Sequence, residues 1–158
     1  MPIVPTIDAP AFITVDHPGS PEDPMVRITL ALNATRDLYT ATEVSIQHPF
    51  VPINGKVTRS TPVRRLIAEL LPPKLAEANP ELMKRAPLKT FVKGTTGRRP
   101  AQKIVDNPQT AQLIDAALVF TMARMSHNFP VRAVQRCFAL DYAQAQRWVR
   151  LARRQGLL

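Results

Sequence analysis

The sequence predicts an α+β fold: a small N-terminal β-hairpin-plus-helix unit followed by a C-terminal three-helix domain of the helix-turn-helix pattern. Three observations carry this. Residues 25–33 (MVRITLALN) and 38–47 (LYTATEVSIQ) alternate apolar and polar side chains with the period of a half-buried strand. After Ser60 the apolar residues recur at spacings of three and four, the helical period. The net charge of +9 is also unevenly placed. Residues 1–84 hold eight Lys/Arg against nine Asp/Glu, and residues 85–158 hold thirteen Lys/Arg against three Asp, which divides the charge into −1 and +10.

Residues 1–24 carry six prolines among Asp, Glu, Ser and Gly and read as an extended Pro-rich arm without a core of its own. Within it, residues 11–15 (AFITV) are short, apolar and suited to an edge strand. Residues 25–86 form the small α+β unit. Ala34-Thr35-Arg36-Asp37 is the turn joining its two strands into a hairpin, and His48-Pro49 ends the second strand. Asn54-Gly55 signals a further turn, after which residues 55–58 return to the sheet. Ser60-Thr61-Pro62 reads as a hydroxyl N-cap with proline at the first helical position. Val63, Leu66, Ile67 and Leu70 then form an apolar face, and Pro72-Pro73 stops the helix. A weaker helix over residues 74–84 is interrupted near Pro80. One helix on a small sheet makes a thin core, which points to a partner for this unit, either the C-terminal domain or a second copy through residues 25–86.

Residues 86–107 show no sustained period and include Lys89, Lys93, Arg98, Arg99 and Lys103 around a Gly-Thr-Thr-Gly centre. The plain reading of 87–107 is a linker. The alternative is a basic arm that tracks phosphates, with Arg98 and Arg99 entering the minor groove.

Residues 108–158 make the C-terminal domain. Asn107-Pro108 is read as the start of a helix with Leu113, Ile114, Ala117, Leu118, Thr121, Met122 and Met125 on one stripe. Pro130 opens a second, short helix with Val131, Val134, Cys137 and Phe138 on one face, ending near Ala139-Leu140. Asp141 caps a third helix that turns Ala145, Trp148, Val149 and Ala152 inward, and Gly156 ends it. A short helix, a tight corner and an amphipathic helix with an Arg/Gln-rich outer face constitute the helix-turn-helix pattern.

The run Ala133-Val134, Phe138-Ala139-Leu140-Asp141, Ala145 to Val149, Ala152-Arg153 and Gly156-Leu157-Leu158 resembles the C-terminal helix-turn-helix of small DNA-binding proteins from actinobacteria and their phages and mobile elements. The resemblance covers about the last fifth of the chain. It departs from the family's usual pattern at Gln135, Ala139 and Asp141, where Ala, Gly and Ser are usual.

These readings converge on sequence-specific binding of double-stranded DNA, by a transcriptional regulator or a control protein of a phage or mobile element. Tyr142, Ala143, Gln146 and Arg147 are the candidate base-reading residues. Arg132, Arg136, Arg150, Arg153 and Arg154 are candidate phosphate contacts. Trp148 fits the core better than a stacking role. The alternative is a protein-interaction module whose basic C-terminus binds RNA or an acidic partner. The three histidines are scattered, a single cysteine rules out an intramolecular disulfide, and no phosphate-binding glycine loop or nucleophile elbow occurs. The expectation is a non-enzyme without metal or cofactor. With no signal-peptide pattern and no membrane span, it is expected in the cytoplasm at the nucleoid, or in the host cytoplasm if phage-encoded.

Overall fold

A computed structural model describes residues 5–94 and 107–158. Within these the fold is α+β: an antiparallel sheet of order β1-β2-β3 and six α-helices. The strands are β1 (Phe12–His17), β2 (Met25–Asn33) and β3 (Leu38–Gln47). The hairpin forms as its alternation predicts. Ile13, Val15, Val26, Ile28, Leu30 and Tyr39 are buried on one face, while Thr14, Asp16, Arg27 and Glu43 lie on the other. The register slips between Thr29 and Leu30, which pair with Glu43 and Ala41. The extra residue, Thr42, donates its hydroxyl to the Thr29 carbonyl at 3.2 Å.

The Pro-rich arm is tied into the fold. It supplies β1, buries Ile7, and receives the Tyr39 hydroxyl on the Pro10 carbonyl at 2.6 Å. Buried Asn79 clamps it further, accepting from the Asp8 N–H at 2.7 Å and donating to the Asp8 carbonyl at 2.8 Å.

Several helix boundaries differ from the sequence expectation, each for a physical reason. Residues 55–58 do not return to the sheet, because Asn54 accepts from the Lys56 and Val57 N–H groups and caps α1 (Gly55–Ser60). The Ser60 and Thr61 hydroxyls donate to the Val57 carbonyl, so they close α1 rather than open the next helix. That helix, α2 (Val63–Ala78), starts after Pro62 without a side-chain cap. It also runs through Pro72-Pro73 instead of stopping there, which absorbs the first part of the separate helix expected over 74–84. Pro72 has no N–H to give the carbonyl four residues back, Ala68. The Asn128 side-chain amide donates to that carbonyl at 3.0 Å. Burial of Leu71, Pro72 and Leu75 carries the helix past the break. A 3₁₀ turn at Leu82–Lys84 follows.

Residues 86–93 are not linker. They form α3 (Ala86–Lys93), which buries Leu88 and packs on α2 and on α4 (Thr110–Met125). Helix α4 begins at Thr110, later than Asn107-Pro108, where the Gln109 N–H donates to the Gln112 side chain at 2.8 Å. A single apolar stripe was expected on it. Instead Leu113, Ala116 to Phe120, Met122, Ala123 and Met125 are all buried, with Ile114 and Thr121 half-buried. Helix α4 is the central element, touching β3, α2, α3, α5 (Pro130–Cys137) and α6 (Tyr142–Arg154). Polar ties reinforce this joint. Arg85 pairs with Asp115, Arg124 bonds the Arg36 carbonyl and Asp37, and the His127 ring donates to the Tyr39 carbonyl. A single hydrophobic core thus runs from the sheet to α6. Among the described residues, no helix is long and apolar enough to cross a membrane.

Candidate nucleic-acid interface

The corner between α5 and α6 is built from backbone hydrogen bonds. Helix α5 ends at Cys137, slightly before the expected Ala139-Leu140, with Phe138 as C-cap. Ala139 follows with φ +54°, in the left-handed region. The Leu140 N–H reaches the Gln135 carbonyl at 3.0 Å and the Ala139 N–H the Arg136 carbonyl at 3.4 Å, the pair of bonds that closes a Schellman motif. Gln135 is half-buried, and Leu140 points into the core. Asp141 then caps α6, accepting from the Gln144 N–H at 2.7 Å. The far end of α6 closes in the same way: Gly156 has φ +69°, and Leu157 bonds Ala152 at 2.9 Å.

The predicted inner face of α6 is the observed one. Ala145, Trp148, Val149 and Ala152 are buried, and the Trp148 ring meets Phe138 edge-on at 5.1 Å. With Trp148 only 1% exposed, no ring face is left to stack on a base. Its Nε1 is buried and has no hydrogen-bond partner among the described residues.

Opposite that face, Ala143, Arg147, Arg150 and Arg154 follow one another at spacings of four, three and four, so one exposed stripe holds all four. Tyr142 and Arg153, both exposed, and Gln146, half-buried, flank the stripe on one side. Arg132 and Arg136 are exposed on α5. None of the six arginines on α5 and α6 forms an ion pair with a described acid, whereas Arg27, Arg65, Arg85 and Arg124 each do. The only acid in residues 130–158 is Asp141, which is engaged in the cap. Two of the six are steadied by rings that leave the charge intact. Arg132 lies 5.4 Å from the Phe129 ring centre and Arg153 5.6 Å from that of Phe120. Arg98 and Arg99 lie outside the described residues.

Sequence reasoning missed one neighbour of this surface. A cleft of about 360 Å³ lies between α2, α3 and α5. Lys93, Arg132 and Arg136 line it above Phe91, Ala133 and Cys137. Glu69, the one acid of the lining among the described residues, is bonded to Arg65 at 2.8 Å. Lys93 went unplaced because α3 was read as linker; Pro87 with Leu88, Phe91 and Val92 at spacings of three and four was the available signal. Burial raises the Cys137 thiol to about 12, against a smaller opposite pull from Arg136. Among the described residues, no three His, Cys, Asp or Glu side chains gather as metal ligands.

No family model matches this chain, and no curated protein and no solved structure matches it.

Proposed function

We propose that residues 108–158 act as a helix-turn-helix that binds double-stranded DNA sequence-specifically, with α6 in the major groove. The observation that carries this reading is the outer stripe of α6: exposed arginines without acid partners among the described residues, on a helix fixed from behind by Trp148 and capped by Asp141. The N-terminal part of a recognition helix is the part that faces base edges. Tyr142, Ala143, Gln146 and Arg147 occupy it, with Arg147 suited to a bidentate contact with guanine and Gln146 to adenine. Arg150, Arg153 and Arg154 lie further along, and with Arg132 and Arg136 they meet phosphates, which set register and affinity. The role is that of a transcriptional regulator or a control protein of a phage or mobile element, on the strength of the sequence resemblance of the last fifth of the chain. A dimer built through residues 25–86 would read a two-fold site.

Selection of bound duplexes from a random pool, with the full chain at near-physiological salt, tests this. An enriched motif is the expected result. Arg147→Ala should then flatten the preference at one position by roughly 1–3 kcal/mol. Arg150→Ala should weaken all sites alike and reduce the salt slope by about 0.9. Binding that fades with salt and enriches nothing would overturn the reading and leave an electrostatic binder of RNA or of an acidic partner.

A further inference from the structure

We infer that two copies of this chain associate through the free edge of β3 and the apolar segment that follows it. The inference deepens the dimer in the reading above by naming its surface.

Three observations lead there. First, among the described residues β3 pairs with another strand on one side only; on its other edge the His127 ring donates to the Tyr39 carbonyl, so the open stretch is the later half of the strand. Unpaired edges are usually blunted by lysine, proline or inward charge. Within β3 the sequence LYTATEVSIQ offers only Glu43, and the bulge at Thr42 leaves the half from Val44 to Gln47 regular. Second, exposed apolar side chains concentrate beside that half. Val44, Phe50, Val51 and Ile53 are all exposed, Phe50 at 80%. Val44 pairs with fully buried Ile28, so it belongs to the core face of the sheet, yet it is left exposed. The segment is also held in shape. The Phe50 and Val51 N–H groups both donate to His48 Nδ1, at 3.1 and 3.0 Å, which fixes the backbone that presents these side chains to solvent. Four exposed apolar side chains within one ten-residue stretch mark an interaction surface.

The third observation identifies the occupant. Residues 44–53 (VSIQHPFVPI) contain no Asp, Glu, Lys or Arg, and residues 1–84 carry a net charge of −1. Residues 85–158 carry +10, which repels a second copy from the basic side. The near-neutral strip is where two copies meet without that penalty, and it offers a charged partner nothing to recognise. An antiparallel edge pair about a two-fold axis is self-complementary: from Val44 to Gln47 each β3 satisfies the other's free backbone groups, and each apolar segment runs on alongside the partner's β3. The sheet would become six-stranded.

Sedimentation equilibrium of the full chain gives the first test. The expected mass is twice the 17.6 kDa of one chain, and both Phe50→Glu and Val44→Lys should raise the dissociation constant roughly tenfold or more. Phe50 is so exposed in the single chain that its variant should keep the wild-type melting curve at concentrations well below the dissociation constant, where the wild type is also monomeric. Hydrogen exchange supplies the second test: amides of β3 should slow with rising concentration in the wild type and not in Phe50→Glu. A wild type that stays monomeric at about 100 μM, a dimer that survives both substitutions, or concentration-independent exchange in β3 would each overturn the inference. Its failure is separable from that of the DNA reading. A monomer that still enriches a motif sinks only the dimer, and a β3 dimer that enriches none sinks only the DNA reading.

Discussion

Ala139→Gly should make the protein more stable, although glycine is usually the weaker choice beside a helix. Ala139 sits at φ +54° in the corner before α6. A left-handed residue with a Cβ costs roughly 1–2 kcal/mol. Glycine removes that cost, but its freer unfolded chain returns roughly 0.5–1 kcal/mol, and a half-buried methyl returns a few tenths more. The net gain is about 0.5 kcal/mol, or roughly 1–2 °C in Tm for a chain of this length. Gly156→Ala is the mirror experiment. Gly156 holds the equivalent position after α6 at φ +69°, and a Cβ there would meet nothing within 4 Å, so the change is almost wholly conformational. It should cost about 0.5–1 kcal/mol. Urea unfolding at constant m-value reads both. If Ala139→Gly lowers the midpoint, or both variants move the same way, the strained-corner account is wrong.

The remaining predictions concern the joint and the buried titrating groups. Asn128→Ala should cost about 1–3 kcal/mol, because it strips the donor from an Ala68 carbonyl that Pro72 leaves without an N–H. In a Pro72→Ala background, where a backbone N–H is restored at that turn, the same substitution should cost clearly less, and equal costs in a double-mutant cycle would sink the explanation. Stability should fall as pH rises above 9. The unfolded chain releases the Cys137 and Tyr39 protons near 9.0 and 10.0, while the folded chain holds both to about 12. Burial is the main cause for each, with nearby Asp8 adding to it at Tyr39. The unfolded state then binds fewer protons, so the slope is negative between 9 and 12. Urea midpoints from pH 7 to 11 test this, and Tyr39→Phe should flatten the upper part of the decline; a level wild-type profile would refute it.

What the sequence made legible follows from how local each signal is. The strands β2 and β3 and the inner face of α6 were readable because one buried face imposes a period on successive residues. The cap at Asp141 was readable because an N-cap needs only a side chain within reach of the next turn. Pro72-Pro73 misled because the donor for the stranded Ala68 carbonyl lay sixty residues from it, in the Asn128 amide. Asn54-Gly55 and Ser60-Thr61 misled because the same residue types close turns, begin helices and end them, and only the competing geometry decides. Helix α4 was recognised as a helix and misjudged as a one-sided one: its small residues Ala116 and Ala123 are buried by neighbours that sequence spacing does not announce. For the candidate site, the outer stripe of α6 was legible. The Lys93–Arg132–Arg136 cleft was not, because it depends on how α3 meets α5.

The three helix ends around this region repeat one solution with different residues, and the differences locate the strain. After α4, His127 takes the left-handed position at φ +58°, and its ring is held by the Tyr39 carbonyl. After α6, Gly156 takes it without steric cost. After α5, Ala139 has neither a side-chain bond nor the freedom of glycine. The least favourable of the three corners is therefore the one that sets the angle of α6. What holds that angle is the packing around it: Leu140 in the core, Phe138 against Trp148, and Asp141 on the first turn. Relieving the strain with glycine leaves those contacts in place. On this argument Ala139→Gly raises stability without moving the arginine stripe, whereas Trp148→Ala, which empties the space behind it, displaces the stripe along with the fold.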